Sequence, residues 1–189
     1  MAQVKGVAIL GLIKFIKTQP DNLMPKIKNM LPKDSSAFLD EHILVARWYP
    51  YKLYVDMLAA LDTLLGTGNY EFCIEQGRLA AKDNISSLFR VFLRFMNIKM
   101  LLSQVMNMWN SYFDTGTVEV ASYLEHGNDR HLTIKIKDFP DIDIRHANSV
   151  MGWIEQFLIM SKFTTKVKSR LVQCQSSGDP VTEMHFTED

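Results

Sequence analysis

The chain has 189 residues, 47% of them hydrophobic, and its 21 Lys plus Arg balance 21 Asp plus Glu to a formal net charge of +0. A chain this long and apolar buries enough surface to fold without disulfide staples or a structural metal, which excludes intrinsic disorder. Zero net charge leaves no general cationic field for a nucleic-acid backbone, and Cys73 and Cys174 stand far apart outside any CxxC or Cys/His cluster, as in a reducing, cytoplasmic setting.

Residues 1–16, MAQVKGVAILGLIKFI, are apolar, but Lys14 and Lys17 interrupt the run and no small-residue cleavage site follows. A membrane span needs about 20 apolar residues, so the segment is read as a buried first helix and no transmembrane segment is expected. Pro20 and Pro25 bracket the start of a second helix ending near Leu31-Pro32, and Asp34-Ser35-Ser36 is a candidate N-cap for a short third one. Leu53, Met57, Leu58, Leu61 and Leu64/Leu65 recur at steps of three and four until Gly66 and Gly68 stop that helix. Residues 70–83 and 85–96 carry similar stripes, and Leu101, Val105, Met108, Trp109 and Tyr112 make another, so the chain reads as helical to about residue 113.

After Asp114-Thr115-Gly116 the period changes to two. Val118 and Val120, then Leu132, Ile134 and Ile136, alternate with polar residues, and His126-Gly127-Asn128-Asp129 between them is turn chemistry, predicting an antiparallel hairpin. A helix over 143–162 follows, with Ala147, Val150, Met151, Ile154, Phe157 and Leu158 on a wide apolar face. Thr165 to Cys174 and Val181 to Thr187 are two closing strands. The predicted class is α+β: one domain over 1–189, with an N-terminal helical bundle (1–113) packed on a small antiparallel sheet and one helix inserted between the two strand pairs (114–189).

No GxGxxG turn, GK[ST] loop, GxSxG elbow or HExxH helix occurs, so nucleotide binding, serine hydrolysis and zinc proteolysis have no anchor and no catalytic residue is assigned. His126, His131 and His185 read as solvated, and His146, in the first turn of the last long helix, as an exposed polar residue. Methionine is abundant, 11 in all, with a run over residues 95–109. Ordinary core packing is its plainer meaning, but such side chains also shape pockets for flexible apolar molecules. Trp48, Tyr49 and Tyr51 are large and polar-tipped, and are candidate interface anchors. Charge is segregated: Lys5, Lys14, Lys17, Lys26, Lys28 and Lys33 face only Asp21 in the first 33 residues, whereas residues 179–189 hold acids and no Lys or Arg.

Several landmarks, Val4-Lys5-Gly6-Val7, Trp48-Tyr49-Pro50, Gln76-Gly77-Arg78, Trp109-x-x-Tyr112 with Gly116, Gly152-Trp153 and Gly178-Asp179-Pro180, follow one another across nearly the whole chain. In this order they resemble a bacterial family of about this length related to the heme-nitric-oxide-binding (H-NOX) domain and the 4-vinyl-reductase (4VR) domain. The resemblance implies helices and a twisted antiparallel sheet around an apolar cavity, which in relatives holds heme, an aromatic effector or an acyl chain.

Two departures from that pattern matter. H-NOX domains ligate heme through a histidine on the helix before the first sheet strand, where this chain has Met106, Met108 and Trp109; their Tyr-x-Ser-x-Arg motif is also missing, the second strand reading HLTIKIK from His131 to Lys137. No heme is expected. Relatives of the 4VR type carry a C-x(7)-C pair at the last hairpin, where this chain has Cys174 and Thr182, so no metal is expected. The expected function is a non-enzymatic, cofactor-free sensor or ligand-binding domain taking a hydrophobic small molecule, lipid or acyl chain, with Phe92, Met96, Met100, Val105, Met108, Trp109, Met151 and Trp153 as pocket walls. It would signal through a protein partner or homodimer. The alternative is an interaction module with a self-filled core and no ligand.

Overall fold

The computed structural model describes residues 1–19, 21–66, 68–85, 98–126, 129–161 and 164–188. The chain opens with a short strand, β1 (Gln3–Lys5), before helix α1 (Gly6–Thr18), which buries Gly6, Ile9, Leu12 and Ile16 at steps of three and four. Residues 3–5 thus depart from the expected helix. Val4 pairs antiparallel with Tyr49 of β2 (Trp48–Pro50), and this long-range ladder overrides the helical pattern of so short a segment. Helix α2 (Met24–Met30) carries Pro25 in its first turn, where a missing N–H costs nothing. Helix α3 (Lys33–Phe38) starts directly after Pro32, earlier than the expected cap; Ser35 lies inside it and donates its hydroxyl to Asp56 Oδ2 at 2.5 Å.

Helix α4 (Tyr51–Leu65) follows the apolar spacing and stops at Gly66, and α5 is Glu71–Asn84. Beyond Ile85, the stripe expected over 85–96 lies outside the described residues. The next stripe forms two short helices rather than one, α6 (Ile98–Ser103) and α7 (Val105–Asn110). Strands β3 (Thr117–His126) and β4 (Asp129–Lys137) pair antiparallel, as the change of period predicts. Helix α8 (Ile144–Met160) then leads to β5 (Val167–Gln173) and β6 (Thr182–Glu188). The two hairpins join through β4 and β6 into a single four-stranded antiparallel sheet of order β3-β4-β6-β5. The class is α+β.

The sheet buries Val118, Leu132, Ile134, Ile136, Met184 and Phe186 on one face, while the other carries cross-strand pairs such as Lys135 with Glu183 at 3.0 Å. Helix α8 fits between the sheet and α5. Its side against α5 is unusually close: a Cβ on Gly77 would stand 1.9 Å from the Ser149 carbonyl oxygen, and one on Gly152 would stand 2.0 Å from that of Ile74. Only hydrogen fits at either position. Gly77→Ala or Gly152→Ala is therefore expected to lower stability by about 3 kcal/mol or more, read by urea denaturation, with Gly11→Ala, where nothing lies within 4 Å of the new methyl, as the neutral control.

Candidate functional site

Between α5, α8, the α6–α7 pair and the inner face of β3 and β4 lies a cavity of about 100 Å³. Its walls follow from the periods that built the elements. Helix α8 contributes His146, Val150, Trp153 and Phe157 at steps of four and three; α7 contributes Val105, Met108 and Trp109; the strands contribute Val118, Leu132 and Ile134. Tyr112 and Phe113, just after α7, close one side. No Asp, Glu, Lys or Arg lines the cavity among the described residues. Its polar side chains gather at Tyr54, Gln76, His146 and Ser149, beside the indole of Trp109.

That polar pole is wired from the backbone. The Asp143 amide, at the N-cap of α8, donates to the Tyr51 hydroxyl at 3.2 Å, and Tyr51 Oη lies 2.7 Å from His146 Nδ1. A backbone N–H can only donate, so Tyr51 Oη accepts from it; its own proton is assigned to Nδ1, the one acceptor this hydroxyl meets among the described residues. The proton of the neutral imidazole then sits on Nε2. This nitrogen is buried and has no partner among the described residues. Burial pulls the His146 pKa down to about 3, so the ring is uncharged at neutral pH. The Ser149 hydroxyl donates to Gln76 Oε1 at 2.7 Å, tying α8 to α5 at the same pole. Burial also pushes the Tyr54 hydroxyl up to about 12.

The cysteines stand apart from this site. Cys73 is buried and its thiol is pushed up to about 12, chiefly by burial. Cys174 is also free and buried, and its Sγ lies 3.9 Å from the Thr182 hydroxyl, while the Asp179 carboxylate accepts from the Cys174 amide. No group of three His, Cys, Asp or Glu with metal-holding geometry occurs among the described residues.

Of the expected pocket residues, Val105, Met108, Trp109 and Trp153 come together on the cavity. Met151 is buried in the core but is not part of the lining. Met100 is 51% exposed, because α6 turns its neighbour Leu101 inward instead. Phe92 and Met96 lie outside the described residues. The expected interface anchors divide: Trp48 is half-buried under the Lys5 ammonium, 4.7 Å from its ring centre. Tyr49 and Tyr51 are interior residues, not surface anchors. Pairing of β2 with β1 turns Tyr49 inward, where its hydroxyl accepts from the Leu44 amide at 2.8 Å; Tyr51 opens α4 on its buried face.

His146, expected to be exposed, is fully buried, and with Tyr54, Gln76 and Ser149 it is what the sequence reading missed. Its signal was available: positions 146, 150, 153 and 157 form one helical stripe, in which a histidine stands among Val, Trp and Phe.

No protein-family model and no curated protein matches the sequence. Solved structures do. The Fe(II) unliganded H-NOX protein from K. algicida aligns at TM-score 0.69 and 13% identity over 98% of this chain and 96% of its own. An H-NOX protein from S. oneidensis in the Fe(II)NO state aligns at 0.68 and 11% over 98% and 99%. The phenol-responsive sensory domain of the transcription activator PoxR, solved with phenol, aligns at 0.53 and 10% over 70% and 71%. The chain has an H-NOX-like fold, and at these identities the likeness carries the fold alone.

The neutral, buried His146 makes stability depend on pH. An unfolded histidine takes up a proton near pH 6.5, whereas His146 resists until about pH 3. Protons therefore favour the unfolded chain as the pH falls below about 6.5, by roughly 1.4 kcal/mol per unit. Between pH 7 and pH 5 the loss assigned to His146 is about 2 kcal/mol. Urea unfolding at the two pH values checks it, and His146→Phe is expected to flatten that part of the dependence.

Proposed function

We propose that the protein is a heme-free ligand-binding sensor domain, a single unit that takes a hydrophobic small molecule in its internal cavity and signals through protein contacts. The observation that carries this reading is the cavity itself: about 100 Å³ bounded mostly by aromatic and aliphatic side chains, with no charged group in the lining among the described residues. Apolar walls left without partners forgo contacts that a fitting apolar molecule restores. A cavity of about 150 Å³ in another protein takes one benzene ring, so the size suits a single-ring compound or a short chain segment. The unfilled space speaks against the alternative, a binding module with a self-filled core.

The residues present do not fit heme. The cavity is far smaller than a porphyrin, and among the described residues its lining offers no Lys or Arg to a propionate. In the helices before β3, the Met106 thioether is engaged by the Val118 amide at 3.3 Å. His146 offers a proton rather than a lone pair on the nitrogen left over by Tyr51. Support for a non-catalytic role is similar: the Ser149 hydroxyl donates to an amide oxygen, not to a base that could activate it. Among the described residues, no helix is long and apolar enough to cross a membrane.

Thermal unfolding with a panel of single-ring aromatics and short-chain lipids tests the reading. A binder at a hundredfold excess over its Kd adds about 2.7 kcal/mol, which raises Tm by roughly 5–10 °C for a domain of this size. Ala80→Leu, which grows into the cavity, is expected to abolish the shift while unfolding no earlier than the parent chain. Flat responses across the panel, or a stoichiometric Soret band on adding hemin, overturn the proposal.

A further inference from the structure

We infer that β5, an open edge of the sheet, takes an extended acidic segment of a partner protein as an added strand, held by main-chain hydrogen bonds and by Lys168 and Arg170. The inference deepens the protein-contact half of the reading above and does not draw on the cavity. Topology supplies its first part. In the order β3-β4-β6-β5 the last strand has a neighbour on one side only, and antiparallel pairing turns the N–H and C=O groups of alternate residues away from that neighbour. Among the described residues no backbone hydrogen bond from outside the sheet reaches Val167–Gln173. Such an edge is a template for one more strand.

Side-chain register supplies the second part. Lys168 and Arg170 are exposed on the outer face of the sheet, and Lys166, two positions earlier, is exposed as well. Elsewhere on this face cations stand opposite acids: Lys135 lies in register with Glu183 on one side and Glu119 on the other, and bridges Glu183 at 3.0 Å. Strand β5 breaks that rule. Its Lys168 is set opposite Thr187 and its Arg170 opposite His185, while Glu183, the acid of β6 on this face, is engaged by Lys135 and by His185 at 2.6 Å. A strand added on the open side, about 4.8 Å away, is placed to bring the acids that β6 lacks. Charge also selects the occupant. A second copy adding its own β5 about Ser169 would set Lys168 against Arg170, and like charges directly opposite destabilise a strand pair. Cations on an edge strand guard against such self-pairing, but they do not guard against acids. An extended chain with an acid at every second position meets both cations on one face while its backbone completes the ladder.

Three fluorescein-labelled octapeptides test this against the full chain, with anisotropy as the readout: one alternates Glu with Thr, one Lys with Thr, and one Glu with Pro. The first is expected to bind about tenfold or more tightly than the second, and to slow amide hydrogen exchange over residues 167–171 of β5 while leaving β3, the opposite edge, unchanged. The Glu and Pro peptide keeps the charge but lacks the donors of a strand, and is expected to bind no measurable amount. Lys168→Glu together with Arg170→Glu is expected to reverse the preference between the first two peptides; both side chains are exposed, and an unchanged Tm checks that the fold is kept. Should the double variant not fold, the three peptides on the unsubstituted chain still decide. No binding, equal affinity for the acidic and basic peptides, equal affinity for the Pro-containing one, or no slowing over 167–171 overturns the inference. A mass that grows with concentration, with protection at β5, overturns it in favour of a second copy. None of these outcomes touches the cavity reading, which the thermal panel decides separately.

Discussion

Where α5 and α8 cross, two glycines let the backbones meet without side chains between them, and the placement of nearly every cavity residue follows from that approach. Gly77 faces the Ser149 carbonyl and Gly152 faces that of Ile74, each at a separation that no methyl can enter. Helix α8 carries His146, Ser149, Val150, Trp153, Ile154, Phe157 and Leu158 to the cavity, and α5 carries Gln76 and Ala80. A wider crossing would stretch the Ser149–Gln76 bond and part the walls. Close packing is thus the condition for the polar pole, and not merely its neighbour.

Ion pairs then hold α8 in register, and magnitudes separate those that matter from those that do not. Glu155 on α8 is buried and satisfied on both oxygens: Arg78 Nε of α5 donates to Oε2 at 2.6 Å, and the Ser169 hydroxyl of β5 donates to Oε1. One carboxylate therefore links three elements. Removing one partner of such a buried charge typically costs about 3–5 kcal/mol. At the start of the helix, Arg145 bridges Asp62 of α4 at 2.9 Å and Asp143 at 3.3 Å. The pairs on the outer face of the sheet, such as Lys137 with Glu119, are solvated and worth about 0–1 kcal/mol. The fold is held at α8 and only decorated at the sheet surface.

How much of this was legible follows from what each signal measures. Periodicity reports a face, so the stripe Leu53, Met57, Leu58, Leu61 located α4, and the alternation of Leu132, Ile134 and Ile136 located β4 with its inward residues. It has no power over three-residue strands: β1 and β2 pair with segments more than forty residues away, and Trp48-Tyr49-Pro50-Tyr51 reads locally as a loop with three large aromatic rings. The apolar half of the cavity was legible for the same reason as the helices, since Val105, Met108, Trp109 and Trp153 are apolar residues on apolar faces. The polar half was not. His146 and Tyr51 are 95 positions apart, and residue type alone assigns a histidine in a first turn to solvent. Met100 shows the converse error, because abundance of methionine does not say which way a helix turns.

The unseen strand proves to govern the site. The Tyr51 amide donates to the Ala2 carbonyl at 2.9 Å, so the residue that orients His146 is pinned by the chain just before β1. From its other edge, β1 reaches the cavity wall: the Lys5 amide donates to the Tyr112 carbonyl at 2.8 Å, Val4 bridges to Phe113, and the Gln3 amide donates to Asp114 Oδ1 at 2.7 Å. Wall and pole are therefore fastened to one short piece of backbone, one through Tyr112 and Phe113 and the other through Tyr51. Displacing the aromatic wall strains the same ladder that holds the imidazole proton in place. The aromatic wall and the polar pole are coupled by three residues near the start of the chain.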